Sequence, residues 1–227
     1  MEGKAKTCRN TIFTLVELLV VVAVIAILAG LLLPALKKAK DKATEILCVG
    51  QMRQLGVMAA YYTDDNNDWI LPNNTANTQT TFWIYFLKPY FPSTLKIDKL
   101  FTCPADPEPV KHPWWPTANF MVSYCYSYAL GNGYGLIANP GYKAYLYKKS
   151  NRFKVPSQVG QISEADATCK AWGGLFPWYL SDFSAERWID FRHSGRAAVL
   201  HLGGNTSSYP LLQMKQESSN LKAVSDW

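Results

Sequence analysis

Hydrophobic and polar positions along the chain fall into successive regimes. From Leu18 to Leu33 every residue is apolar or Gly, and the run reaches Leu36 with only Pro34 interrupting it. Nineteen such residues, at about 1.5 Å per residue, span roughly 28 Å, which matches the apolar thickness of a bilayer. A secretory signal peptide has a shorter apolar core, with its small-residue cleavage site beyond the run. Here Ala23, Ala26 and Ala29 lie inside it, so a spanning anchor is the better reading. After Pro34, apolar residues recur mostly at three- and four-residue steps through Leu36, Ala39, Ala43, Leu47, Leu55, Met58 and Tyr62, with charged residues between them. The pattern predicts one helix over 14–62, apolar all round in its first half and amphipathic in its second. Pro34 removes a backbone hydrogen bond and is the expected kink.

The Asp/Asn run "TDDNNDWILP" (63–72) ends that helix, because these residues tolerate left-handed backbone and Pro72 forbids continuation. Residues 73–81 read as a polar loop and "FWIYFLKPYF" (82–91) as a short aromatic helix. "LFTCPADPEP" (100–109) is turn-rich. "SYCYSYALGNGYG" (123–135) alternates like a strand before breaking into glycines, and "VGQISEAD" (159–166) and "AAVLHL" (197–202) are further strand candidates. Between them "SDFSAERWIDF" reads as a short helix. The fold class is therefore α+β: a long N-terminal transmembrane helix continuing into a small antiparallel-sheet domain.

Charge changes this picture little. The formal net charge is +6, and three basic residues and one acidic residue of the 23 and 17 present lie in residues 1–12, leaving +4 beyond them. Lys37, Lys38, Lys40 and Lys42 read as a solvated face next to the membrane, so no nucleic-acid partner is expected. Basic residues on the two sides of the anchor nearly balance, and charge alone does not orient it.

Candidate chemistry is thin. The chain has no HExxH, P-loop, GxSxG or Gly-rich dinucleotide motif, and no enzymatic activity is expected. His193 and His201 lack Cys or His partners at zinc-ligand spacing, and no metal site is expected from them. The Asp/Asn run suggests calcium only by composition, since the EF-hand spacing is missing. Asp182, Glu186 and Asp190 read as a solvated helix face. Among Cys48, Cys103, Cys125 and Cys169 there is no CxxC, and an even count in an exported domain suggests disulfides. Cys48–Cys103 is the first choice, with the other pairings left open.

"FTLVELLVVVAVIAILAGLLLPAL" resembles the N-terminal cleavage and methylation segment of type IV prepilins and type II secretion pseudopilins, almost without a gap over 13–36. "CVGQMRQLGVMAAYYTDDNNDWILP", "FTCPADP" and "RHSGRAAVLHLGGN" resemble later segments of a branch related to the major pseudopilin. The last is similar to that branch's H-x9-DG signature, with His193 followed by Gly203 and Gly204. The resemblance implies a leader at 1–12, a transmembrane helix at 13–36, an amphipathic extension at 37–62 and an extracytoplasmic globular domain at 63–227. It implies cleavage between Ile12 and Phe13 by a prepilin peptidase that also N-methylates Phe13. It further implies assembly through Glu17 with other pseudopilin subunits, driven by secretion platform proteins at a bacterial inner membrane.

Two residues depart from the family pattern. Ile12 stands where the family has Gly before the cut, and Gly203 replaces the Asp of the signature. Gly-Gly still suits a two-residue hairpin turn with positive φ, so His193, Gly203 and Gly204 are expected to be structural. An alternative reading is a membrane-anchored surface protein that does not assemble and binds polysaccharide through "HPWWPTANF" (112–120), Trp172, Trp178 and Trp188.

Overall fold

A computed structural model describes residues 14–72, 83–92, 97–111, 121–127, 130, 149–166, 175–176 and 189–214. Packing divides the chain after Lys40. In the first unit the helix α1 (Leu15–Asp65) begins, and the helix runs on through Pro34 without interruption. None of the residues in its apolar window is buried. The side chains from Leu15 to Leu36 are exposed, and water is a poor solvent for them.

The second unit, from Asp41, contains the later turns of α1 and all the other elements. α1 now buries one stripe, Cys48, Met52, Leu55, Met58, Ala59 and Tyr62, at the spacing that places side chains on one helix face. The helix ends three residues later than its apolar period predicts. Asn66 Nδ2 donates to the Tyr62 carbonyl at 2.7 Å, and Asn67 and Asp68 take φ values of 54° and 67°. Asn and Asp tolerate this left-handed backbone, which turns the chain out of the helix. The aromatic segment forms α2 (Trp83–Leu87) and a 3-10 turn at Lys88–Tyr90, where the Tyr90 hydroxyl donates to Asp65 Oδ2 at 2.9 Å. A further short helix, α3 (Ile97–Phe101), precedes Cys103.

The strands are β1 (Val110–Lys111), β2 (Met121–Val122), β3 (Tyr124–Ser127), β4 (Gly160–Glu164), β5 (Leu175–Phe176), β6 (Arg196–His201) and β7 (Thr206–Pro210). β1 and β2 form a separate two-stranded ribbon, and the main sheet has the order β5-β3-β4-β6-β7. Four of its strands are antiparallel neighbours, as expected, but the two-residue β5 runs parallel to β3. Alternation along the strands sorts side chains to two faces. Tyr124, Tyr126, Ile162, Ala198 and Leu200 join the α1 stripe, Trp83 and Phe101 in one core, whereas Cys125, Ala197 and Val199 join Ile189 and Met214 in a second. β3 and β6 are thus buried on both sides. Leu200 presses so close to α1 that a Cβ on Gly56 would lie 2.8 Å from its Cδ1.

Candidate functional site

Two constellations carry polar chemistry. The first opens α1. The Thr14 backbone N–H and hydroxyl both donate to Glu17 Oε2, at 2.8 and 2.9 Å, and the Glu17 N–H donates to Thr14 Oγ1 at 3.2 Å. This is a reciprocal capping box: Thr at the helix start and Glu three residues on satisfy otherwise orphaned donors. The signal T-x-x-E before an apolar run is legible in "TLVE" (14–17). Ile12 and Phe13 lie outside the described residues.

The second constellation is buried where α1 meets the sheet. Cys48 comes from the α1 stripe. The segment carrying Cys103 is held against both α1 and the strands: Gln51 Nε2 donates to the carbonyls of Lys99 and Thr102 at 2.5 and 3.2 Å, Thr102 Oγ1 to that of Met121 at 3.0 Å, and the Ser123 N–H to that of Phe101 at 2.8 Å. Those bonds bring the Cα atoms of Cys48 and Cys103 to 5.5 Å, and the two residues form a disulfide. Of the other candidates for pairing, Cys125 is a free, buried thiol against Ser163, and Cys169 lies outside the described residues. The odd thiol fills the second core as a small hydrophobe does.

Beside the disulfide stand Glu164, at the end of β4, and His193, just before β6. His193 Nε2–H donates to Glu164 Oε1 at 2.6 Å, and Glu164 Oε2 accepts the Ala198 N–H of β6 at 3.1 Å. Cys103 Sγ lies 3.6 Å from Glu164 Oε1 and 3.5 Å from His193 Nε2. All four residues are at most 1% exposed. A carboxylate this deep is costly unless paired, and both of its oxygens are engaged here. Local spacing gives His193 no Cys neighbour, and the fold brings Cys103 to it from 90 residues away. Glu164 was missed altogether, because one acidic residue at a strand end carries no local signal.

Neighbouring ionic groups complete the region. Arg192 pairs with Asp106 at 2.8 Å and with Asp190 at 3.0 Å, so Asp190 belongs to an ion pair and not to a solvated acidic face. Asp182 and Glu186 lie outside the described residues. The Tyr124 hydroxyl donates to Gln51 Oε1 at 2.5 Å. Burial first, and then the negative charge of Glu164, push its phenol well above the ordinary tyrosine range.

The turn residues behave differently from expectation. The two-residue turn with positive φ at both centres is Ser194–Gly195 (52° and 79°), closed by reciprocal bonds between His193 and Arg196. It fixes the backbone that carries His193. Gly203 and Gly204 instead belong to a three-residue loop, Leu202–Gly204, in which the Gly204 N–H donates to the His201 carbonyl and the His201 N–H to that of Asn205, both at 2.8 Å. Only Gly204 has positive φ, at 82°. Gly203 sits in close quarters, since a Cβ there would meet the Ser157 backbone N at 3.0 Å. His201 sits apart from His193's cluster and contacts the Tyr209 hydroxyl at 3.0 Å.

An open groove of about 410 Å³ lies between Gly56–Asp64 of α1 and this loop, and among the described residues Asp64 is the only ionisable one lining it. The aromatic segment 112–120, Trp172, Trp178 and Trp188 lie outside the described residues. Trp83 is wholly buried, a core residue. No protein-family model matches the chain, and no curated protein or solved structure is significantly similar to it.

Proposed function

We propose that the chain is a pilin-like structural subunit, of the type that builds type IV pili or the pseudopilus of type II secretion. It is held in a bacterial inner membrane before assembly, with its globular domain outside the cytoplasm. One observation carries the reading: an apolar helix begins at Leu15, is unburied by its own chain across a full membrane-spanning window, and has a carboxylate in its first turn. Such a surface must be covered by lipid or by the same helix of neighbouring copies. A carboxylate at its mouth is costly in an apolar bundle unless a cation meets it. Cleavage before Phe13 supplies that cation, the new N-terminal amine of an adjacent subunit. The residue pattern "FTLVELLVVVAVIAILAGLLLPAL" supports the same reading independently of the fold.

The chain's own partners in this reading are a prepilin peptidase and N-methyltransferase, other pilin-type subunits and the platform proteins that extract subunits from the membrane. Mass spectrometry of the N-terminus of protein isolated from native membranes tests it. A methylated Phe13 as first residue is the expected result. An intact N-terminus beginning upstream of Ile12 overturns it and leaves a membrane-anchored protein that does not assemble.

A further inference from the structure

We infer that the reduced chain binds one Zn²⁺ through Cys48, Cys103, His193 and Glu164, the same residues that surround the disulfide. This inference does not rest on the filament reading. Four side chains with soft sulfur, imidazole and carboxylate donors converge so that their ligand atoms all lie within 4.8 Å of one another, and all four are buried. That donor set suits a closed tetrahedral zinc centre, with no position left for a substrate water.

The distances fit. With Zn–S near 2.3 Å and Zn–N and Zn–O near 2.05–2.1 Å, a tetrahedron places S and N about 3.5 Å apart and S and O about 3.6 Å apart. Cys103 Sγ lies 3.5 Å from His193 Nε2 and 3.6 Å from Glu164 Oε1. The Cys48–Cys103 and His193–Glu164 edges must open. The sulfurs must separate to about 3.8 Å, and the Nε2–Oε1 contact, 2.6 Å in the structure, must widen to about 3.4 Å. The second of these replaces a hydrogen bond with two metal bonds. Glu164 Oε2 keeps its Ala198 N–H, which orients the carboxylate from outside the coordination sphere.

The chemistry balances without an unnamed partner. A dithiol reductant gives two electrons to the Cys48–Cys103 bond and closes to its own disulfide. The S–S bond breaks, and the two protons of the dithiol end on the cysteine sulfurs. Zn²⁺ then displaces both thiol protons to solvent, and the proton on His193 Nε2 moves to Nδ1, so that a neutral imidazole ligates the metal through Nε2. The metal so held links α1 to the Cys103 segment, the same junction the disulfide links. The junction is thereby tied in an oxidising compartment by sulfur and in a reducing one by zinc.

The test uses the full chain in detergent micelles, oxidised or reduced. The reductant is a phosphine, which takes its oxygen from water and does not chelate zinc. Each form is dialysed against Zn²⁺ and its metal content measured. Co²⁺ in place of Zn²⁺ reports thiolate ligation by its charge-transfer absorption. The reduced wild type is expected to hold one Zn²⁺ per chain and the oxidised form none. His193→Ala is expected to weaken reduced-state affinity at least about tenfold, and Cys125→Ser to leave it unchanged. If reduction loosens the domain, added Zn²⁺ is expected to restore its circular dichroism. The inference fails if the reduced wild type takes up no Zn²⁺, if both redox forms bind equally, if Zn²⁺ leaves a loosened domain unrestored, or if His193→Ala binds as tightly as the wild type.

Discussion

The Cys48–Cys103 bond gives the most quantitative prediction about the stability of the globular domain. Its partners are 55 residues apart in sequence, and a loop of that size costs the unfolded chain about 14 cal/mol/K when closed. That is about 4 kcal/mol at 25 °C. Replacing both residues by Ala adds a smaller packing loss, about 1 kcal/mol, because each sulfur lies in the core between α1 and α3. The double variant Cys48→Ala/Cys103→Ala should therefore be about 5 kcal/mol less stable than the oxidised wild type. At about 2–4 °C per kcal/mol for a domain of this size, its midpoint should fall by roughly 10–20 °C. Reduced wild type, kept free of zinc by a chelator, isolates the loop part and should lose about 4 kcal/mol. The assay is urea unfolding of the full chain in micelles, read by tryptophan fluorescence, to which the buried Trp83 contributes. Reduced, zinc-free wild type within about 1 kcal/mol of the oxidised form would refute the loop argument, and the bond would then be an incidental feature of a junction held by packing.

Glu17→Val should still fractionate with membranes but fail to enter filaments. Thr14→Ala, which removes only the cap (about 1 kcal/mol), should still assemble, and equal filament yields from Glu17→Val and wild type would show that the carboxylate serves the helix start alone. Ile12→Gly should raise the fraction of chains cut before Phe13, read by the same N-terminal mass spectrometry; an unchanged fraction would show that Ile12 does not limit processing. Gly203→Asp, the residue of the resembled signature, should destabilise the domain by about 1–3 kcal/mol in thermal unfolding, because its Cβ meets the Ser157 backbone; a neutral result would show that the loop moves aside. Burial alone would raise the carboxyl of Glu45, but hydrogen bonds from Lys42 and Ser208 and the charges of Lys42 and Arg196 outweigh it and hold it below the ordinary range. Its contribution is therefore fully present above the unfolded value of about 4.3 and is lost as pH falls through the lowered folded value. Glu45→Gln should flatten the acid limb of a stability–pH curve, and an unaltered limb would refute this.

The order of elements was largely legible because its causes are local. An apolar run of membrane length, a three- and four-residue period after it, and an Asp/Asn stop marked α1 to within three residues at its end. Alternating or continuous apolar runs marked β3, β4 and β6. β7 was missed because Thr206–Pro210 is Ser-rich and half-buried along its whole length, so it shows no alternation. β1, β2 and β5 were missed because two residues carry no period. The turn after His193 was marked by Ser-Gly, yet the reading placed the paired positive-φ residues at Gly203–Gly204. Both dipeptides are turn signals, and only the strand register decides which backbone each adopts.

By itself the sequence determined the exposed apolar helix, the α+β class and the inventory of thiols and imidazoles, since these follow from composition and short-range periodicity. The tertiary structure alone decided which of those groups meet. Cys48 and Cys103 stand 55 residues apart, and Glu164 and His193 lie 61 and 90 residues from Cys103. No local preference couples positions at such separations. They converge because the α1 stripe and the inward faces of β3, β4 and β6 bury apolar surface against one another, and that packing fixes the register of the strands. Register then sets which side chain lies opposite which: Glu164 pairs with Tyr124 across β3 and reaches the Ala198 amide across β6. A shift of one residue would turn Glu164 to the other face, away from His193 and the disulfide.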